Sequence, residues 1–334
     1  MASPVESHSV FPSVSVALCT YNSARFIEEQ LSSILDQEVL PAEIVISDDG
    51  SSDDTLIRVR AILGAHADSV IRFRILTGES RLGISRNFQR AVEACTADVI
   101  ALSDHDDVWH RDRLSTGLRS FAGHPDLLLQ HSDARLIDQL GTALGPSLFE
   151  ALGVTSSERL AVNDGRAFGA YLRRNLVTGA TVLFQRSLLQ HALPFPVEWV
   201  HDEWLAIIAS ALGKVELLDA RLIDYRQHGQ NQIGVQKPTL RYRVRRMLEP
   251  RGRRYQELSL RSAILSHRLE ELPVASEYLE LARRKAGFET VRGALPANRF
   301  ARVRTILREY RAGSYALLSS QGDFDVVRDL LQPA

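Results

Sequence analysis

Four apolar segments, each parted from the next by a helix-patterned stretch, fill residues 14–104, and this alternation constrains the fold more than any other feature. "VSVALCTY" (14–21) is a β-branched run suited to a buried strand. "SARFIEEQLSSILDQ" (23–37) then sets Phe26, Ile27, Leu31, Ile34 and Leu35 at helical spacing. "AEIVISDDGSSDDT" (42–55) reads as a strand ending in a turn, whose Ser and Asp residues can cap the helix "TLIRVRAIL". "VIRFRILT" (70–77) alternates as a third strand, "SRNFQRAVEAC" (85–95) is helical, and "DVIALSD" (98–104) is a fourth strand. Strands and helices alternating in this way predict a parallel α/β sheet. Ligands of such sheets sit at the carboxyl ends of the strands. Here those ends carry Thr20, Tyr21 and Asn22, then Asp48 and Asp49, then Asp104 and Asp106.

Beyond residue 110 the pattern loosens. "LLLQHSDARLID" (127–138) predicts a further strand, and 141–165 a Gly/Pro-punctuated surface excursion. "TGATVLFQRSLLQHA" (178–192) predicts a strand or turn and then a helix. "HDEWLAIIASAL" (201–212) predicts a helix with its acidic residues at the positive N-terminal end. From Pro238 onward the chain reads as helical and Arg-rich. Charge divides at the same place: residues 1–236 hold 20 basic and 30 acidic side chains, residues 237–334 hold 20 and 11. The expected organisation is a sheet domain over 12–236 and a basic, mainly helical region over 237–334.

A hydrophobic fraction of 45% and a charged fraction of 24% are those of a globular chain. Cys19 and Cys95 have no CxxC partner and read as reduced core residues, not a disulfide or zinc framework. "MASPVESHSVFPS" lacks the pattern of a secretion signal, and "WLAIIASAL" is too short to span a bilayer, so a cytoplasmic protein is expected. The Arg-rich end has few interleaved aromatics and the front is acidic, which argues against nucleic acid.

"LSDHDDVW" (102–109) has two readings. It is a polar turn closing a strand, or a site for a hard divalent cation that relieves repulsion among aspartates. The usual phosphate-holding loops are missing: "ALCTYNSARF" contains no glycine for a dinucleotide turn, and Gly213-Lys214 is followed by Val215, not Ser or Thr. HExxH and GxSxG are absent as well. Their absence, together with the shared strand edge, favours a metal–diphosphate site.

The ordered set "VSVALCTYNSARFIEEQLSSIL", "IVISDDGSSDDT", "RLGISRNFQRAVEACTADVIALSDHDDVWHRDRL", "VTGATVLFQRSLL", "HDEWLA" and "YRQHGQNQIG" resembles family 2 glycosyltransferases of the GT-A fold. "HDEW" and "YRQH" are closest to bacterial rhamnosyltransferase-like enzymes of polysaccharide assembly. The resemblance implies a Rossmann-like, mixed but mainly parallel sheet flanked by helices, with a helical C-terminal extension. It implies an inverting transferase that takes a sugar from dTDP-rhamnose or a UDP-sugar to a glycan or lipid-linked acceptor. Alternatives are another donor, such as UDP-Gal or UDP-GlcNAc, or a non-catalytic nucleotide-sugar-binding homologue.

By position, the resemblance gives nucleotide contacts to Thr20, Tyr21, Asn22, Asp48, Asp49, Arg86, Asn87 and Asp104. The family often has Asn where this chain has Arg81. Asp106, with Asp104 and His228, would hold Mg²⁺ or Mn²⁺, while Asp107 is expected to cap the segment from Val108. Asp202 matches the catalytic base, with Glu203 as its competitor. Gly179, His201, Glu203 and Trp204 are expected near donor or acceptor sugar, although a turn, core packing or a helix-dipole role would also account for them. Trp109 reads as core or as a sugar platform. Finally, "TLRYRVRRMLEP" (239–250) predicts a basic amphipathic helix, suited either to an anionic bilayer or to packing on the catalytic domain. Peripheral contact with the inner face of the cell membrane through the basic C-terminal helices follows as an expectation.

Overall fold

A computed structural model of the chain describes residues 11–78, 80–228 and 249–333. The chain packs as two compact units. The first gathers the described residues of Met1–Leu148, Thr178–Leu193 and Glu216–Gly234, and the second those of Phe149–Val177, Pro194–Val215 and Val235–Ala334. These borders cross the division expected at 236/237, because 149–177 and 194–215 pack with the C-terminal helices.

The first unit is built on β1 (Val14–Thr20), whose seven residues are all buried. It pairs in parallel with β2 (Glu43–Asp48) and β4 (Val99–Ser103), and β2 pairs in parallel with β3 (Arg72–Leu76). Helices α1 (Ile27–Leu35), α2 (Thr55–Ala65) and α3 (Ile84–Ala94) form the crossovers. The register sets Thr20 opposite Asp48 and Leu18 opposite Ser103, so the polar ends of three strands do share one edge.

The sheet then turns mixed. After β5 (Val108–Trp109) and α4 (Arg113–Gly123), β6 (Leu127–Ile137) runs antiparallel to β8 (Val182–Gln185), as β8 does to β4. β9 (Lys214–Arg226) pairs antiparallel with β5, giving the order β3-β2-β1-β4-β8-β6-β9-β5, with β7 (Ala143–Ser147) on β6. The apolar inward positions of β1, β2 and β4, among them Val16, Leu18, Ile46 and Leu102, have no exposure and form the core. Cys19 and Cys95 are buried free thiols, and burial raises the pKa of each.

The 141–165 stretch is more ordered than a surface excursion. It holds β7, α5 (Leu148–Leu152) and α6 (Ser156–Ala161), with Leu148, Phe149 and Ala151 buried. A reciprocal cap starts α6: Thr155 Oγ1 accepts from Glu158 N, and the Glu158 carboxylate accepts from Thr155 N. A π-type turn over Val162–Arg166, with Gly165 at φ 79, leads into α7 (Ala167–Arg173).

The short α8 (Leu189–Ala192) follows β8 in the first unit. The second unit adds to α6 and α7 the apolar α9 (His201–Leu212) and the helices α10 (Arg254–Glu270), α11 (Ser276–Gly293), α12 (Arg299–Arg311), α13 (Ser314–Leu318) and α14 (Asp323–Leu331). The described C-terminal residues contain no strand, as the sequence predicts. The helix predicted over 239–250 lies almost wholly outside the described residues. Among the described residues no helix is long and apolar enough to cross a membrane.

Candidate active site

The loops after β1 and β2 are laced together by side chains. Thr20 Oγ1 donates to Asp48 Oδ1 at 2.9 Å, and Ser51 N donates to Asp48 Oδ2 at 2.8 Å. Asn22 occupies the left-handed region at φ 47, which Asn tolerates better than most residues. There its N donates to Ser51 Oγ and its Oδ1 accepts from Ser52 N, both at 2.9 Å. Asp49 takes in the start of α3, accepting from Leu82 N at 2.6 Å and Gly83 N at 2.9 Å. The second bond needs Gly83 at φ 80, which a side chain would strain.

Asn87 is buried between α3 and β2: its Nδ2 donates to Ser47 O, and its Oδ1 accepts from Ser47 Oγ and Arg90. Thr20, Asn22, Asp48, Asp49 and Asn87 thus brace the rim through bonds within the protein. Tyr21 and Arg86 offer more accessible groups: Arg86 is exposed, and Arg81 lies 3.9 Å above the half-buried Tyr21 ring while sitting 3.8 Å from Asp49. The Arg81 that departs from the family pattern therefore forms a cation–π cover on Tyr21.

The three aspartates of "DHDD" have three environments. Asp106 is buried, with Oδ2 2.8 Å from His228 Nε2, and the His228 ring stacks on Phe26. Burial opposes its ionisation, but the His228 hydrogen bond and the charges of His105 and His228 prevail, holding its pKa below the carboxylate range. Asp107 is driven the other way, first by burial and then by the charges of Asp106 and Asp104. It does not cap the segment from Val108; its Oδ1 accepts from Arg226 N at 2.9 Å and pins the end of β9. Asp104 is half-buried, and its charge acts on Cys19, Asp107 and Arg113. Beneath them Arg113 is fully buried, 3.6 Å over the Trp109 ring, and burial lowers its pKa to about 9. Trp109 therefore serves the core, because an arginine occupies its ring face.

Whether this corner suits a divalent ion rests on its donors. An ionised carboxylate and an imidazole nitrogen meet at Asp106 and His228 with side chains 11% and 8% exposed, a combination suited to Mn²⁺ or Mg²⁺ if diphosphate and water complete the shell. Asp104 does not make it a three-ligand protein site. Among the described residues no group of three or more His, Cys, Asp or Glu is arranged to hold a metal. Two residues missed in the sequence support the corner. Arg226 donates through Nε to Asp106 O at 2.7 Å and through Nη2 to Glu29 at 2.6 Å, and Arg90 donates to Ser47 Oγ and Asp48 O. The run "YRQH" contained the signal for Arg226, an arginine two residues before the histidine.

Gly179 is buried and opens a 3-10 turn, Gly179–Thr181, into β8, so the turn reading describes its place. The remaining predicted residues belong to the second unit, at the start of α9. Asp202 is buried, and its Oδ1 accepts from Glu203 N at 2.7 Å. Glu203 pairs with Arg261; burial raises its pKa, Arg261 opposes this and Asp202 reinforces it. His201 is buried and stays neutral, its pKa pushed down to about 3. Trp204 is fully buried with its ring 5.4 Å from that of Trp199, so core packing replaces the expected sugar contact.

Residues 15–160 match the sequence model of glycosyl transferase family 2. Over that stretch the chain is similar to the family. An uncharacterised glycosyltransferase of Nostoc is 27% identical over 227 residues, which is 65% of this chain and 66% of the Nostoc protein. The dTDP-rhamnosyl transferase RfbG of Shigella flexneri is 34% identical over 105 residues, covering 30% of this chain and 35% of RfbG. The chain thus spans less than two thirds of the length of these curated relatives. Two solved structures share the GT-A fold: a mannosyltransferase from Pyrobaculum calidifontis in complex with GDP-Man and Mn²⁺ (TM-score 0.54, 19% identity, 96% of this chain and 84% of that one) and S. aureus TarS 1-349 in complex with UDP-GlcNAc (0.52, 17%, 95% and 89%). What they share with this chain is the fold, a mixed, mainly parallel sheet flanked by helices.

Proposed function

We propose that the chain is an inverting glycosyltransferase that moves a sugar from a nucleoside-diphosphate donor to a hydroxyl of a glycan or lipid-linked glycan in the cytoplasm. The observation carrying this reading is the buried Asp106–His228 pair on the strand edge that bears the braced β1 and β2 loops. Tyr21, Arg81 and Arg86 offer a stacking ring and two cations for a nucleotide, and Thr20, Asn22, Asp48, Asp49 and Asn87 brace the strand-end loops and the start of α3 around them. A divalent ion bound by Asp106 and His228 would supply Lewis-acid neutralisation of the departing diphosphate. Asp202 takes the acceptor proton, because an alcohol needs a base as its oxygen attacks; such help is worth roughly 10²- to 10⁴-fold. Rhamnose is the first sugar to test, in keeping with the Shigella relative.

The test is a panel of sugar nucleotides, dTDP-rhamnose first, incubated with Mn²⁺ and scored for release of free nucleoside diphosphate. Asp202→Asn is expected to keep donor affinity within about twofold while turnover falls by roughly 10² or more. No release from any donor, or full turnover by the variant, would remove the transferase reading or the base assignment respectively.

A further inference from the structure

Helix α12, "RFARVRTILREYR", turns apolar side chains in two directions. Inward, Ile306 is buried, and the fully buried Arg302 donates to the carbonyls of Pro296, Ala297, Asp329 and Gln332, which fixes the helix on the second unit. Outward, Phe300 is 88% exposed, Val303 39%, Leu307 45% and Tyr310 49%. Positions 300, 303, 307 and 310 follow the i, i+3, i+7, i+10 rhythm of a single helix face. The outward residues beside that stripe are cationic: Arg304, Arg308 and Arg311 are all exposed. Glu309, the acidic side chain of the helix, has 16% of its side chain exposed and accepts from Ser314 Oγ and, at 3.1 Å, from Arg308, which still has 65% of its own side chain exposed. The first turn is held in place by Asn298, whose Oδ1 accepts from Phe300 N at 2.9 Å.

We propose that α12 is a membrane-interface helix that docks the protein on an anionic lipid surface. An exposed apolar stripe edged by arginines meets both layers of such a surface, acyl chains under the stripe and phosphate headgroups beside it. At 1.5 Å per residue the helix is about 20 Å long, and with its arginines it lies in the interface plane and does not span the bilayer. A second copy of the chain fits less well, since pairing two such faces brings Arg304, Arg308 and Arg311 toward their own counterparts. Charge complementarity therefore selects the lipid. The surrounding region agrees, with 20 basic against 11 acidic residues over 237–334. This assignment concerns a described helix and is separate from the expectation at 239–250, which lies almost wholly outside the described residues; it stands independently of the transferase reading.

The experiment is co-sedimentation of the full chain with vesicles of phosphatidylcholine alone and of phosphatidylcholine mixed with phosphatidylglycerol, with circular dichroism confirming the fold of each variant. Wild type is expected to pellet with the mixed vesicles and to be released by salt. Phe300→Ser with Leu307→Ser should weaken partition roughly tenfold or more, and Arg304→Gln with Arg308→Gln should weaken it chiefly on the anionic vesicles. Wild type remaining in the supernatant would overturn the proposal, and so would both variants pelleting like wild type. A wild-type dimer that Phe300→Ser/Leu307→Ser converts to monomer, without vesicle binding, would assign the face to a second copy.

Discussion

The two units are stabilised by different physics. The first buries an apolar sheet: Val16, Leu18, Ile44, Ile46, Ile100 and Leu102 have no exposure, and its ion pairs, such as Arg58–Glu28 and Arg111–Asp36, are mostly partly exposed. The second buries charge among its C-terminal helices. Arg292 Nε donates to Asp329 Oδ2 at 2.7 Å, Lys285 donates to Glu289 at 2.7 Å, and Arg328 pairs with Asp325 at 2.8 Å, with all three carboxylates at most 1% exposed. Asp329 also accepts from Tyr255 at 2.7 Å and Tyr315 at 2.9 Å. An apolar core tolerates changes of shape in proportion to volume lost, whereas a buried ionic network penalises the removal of any one member. The lesson concerns sensitivity: the second unit depends on complete sets of partners.

The largest expected effect follows from that dependence. Asp329→Ala removes the acceptor that Arg292, Tyr255 and Tyr315 share, leaving Arg292 to Glu289 and Tyr255 to Gln332, and should cost about 3–5 kcal/mol, read by urea unfolding. A loss under about 1 kcal/mol would mean that the network is dispensable and the two cores are alike. Acid should probe the same unit. Burial raises the Asp329 pKa, but Arg292, Tyr255 and Tyr315 prevail and leave it lowered. Its stabilisation is therefore present above the unfolded value of about 3.9 and lost as pH falls through the folded value.

At milder acidity each unit carries one buried histidine that resists protonation, His131 in the first and His201 in the second. His131 on β6 is buried, and burial pushes its pKa down to about 3. A folded pKa below the unfolded value of about 6.5 means that protons bind the unfolded chain preferentially as pH falls. This residue should then withdraw about 1.4 kcal/mol of stability per pH unit below 6.5. His131→Gln is expected to make that part of the stability–pH curve shallower, leaving the share that His201 contributes, and an unchanged slope would assign the acid response elsewhere. A smaller effect belongs to the rim: Arg81→Ala removes the cover on Tyr21, worth about 0.5–1 kcal/mol, and should weaken donor binding some two- to fivefold. Donor affinity equal to wild type would leave the Tyr21 stack outside the nucleotide site.

The same contrast explains what could be read from the sequence. The strands and helices through Ser103 were legible because each buries a continuous or periodic apolar face, and their order places Thr20, Asp48 and Asp104 on one edge. The β5–β9 pairing was not, since two residues, Val108 and Trp109, pair with a segment more than a hundred positions away. The helices of 149–173 were hidden by Gly and Pro, although Thr155-x-x-Glu158 carried the capping signal. At the candidate site, residue types pointed to a shared strand edge but not to what each side chain touches. Asp106 and Asp107 are neighbours with opposite protonation tendencies, because His228 meets one and the protein interior encloses the other. Trp204 carried an aromatic's ambiguity, which complete burial resolves.

The central claim, that the Asp106–His228 corner holds a metal against a donor's diphosphate, is tested most directly by calorimetric titration of a nucleoside diphosphate with and without Mn²⁺. Wild type should bind at least about tenfold more tightly with the ion, and Asp106→Asn should bind equally weakly in both conditions. Metal-enhanced binding that survives Asp106→Asn, or wild-type binding indifferent to Mn²⁺, would contradict the account.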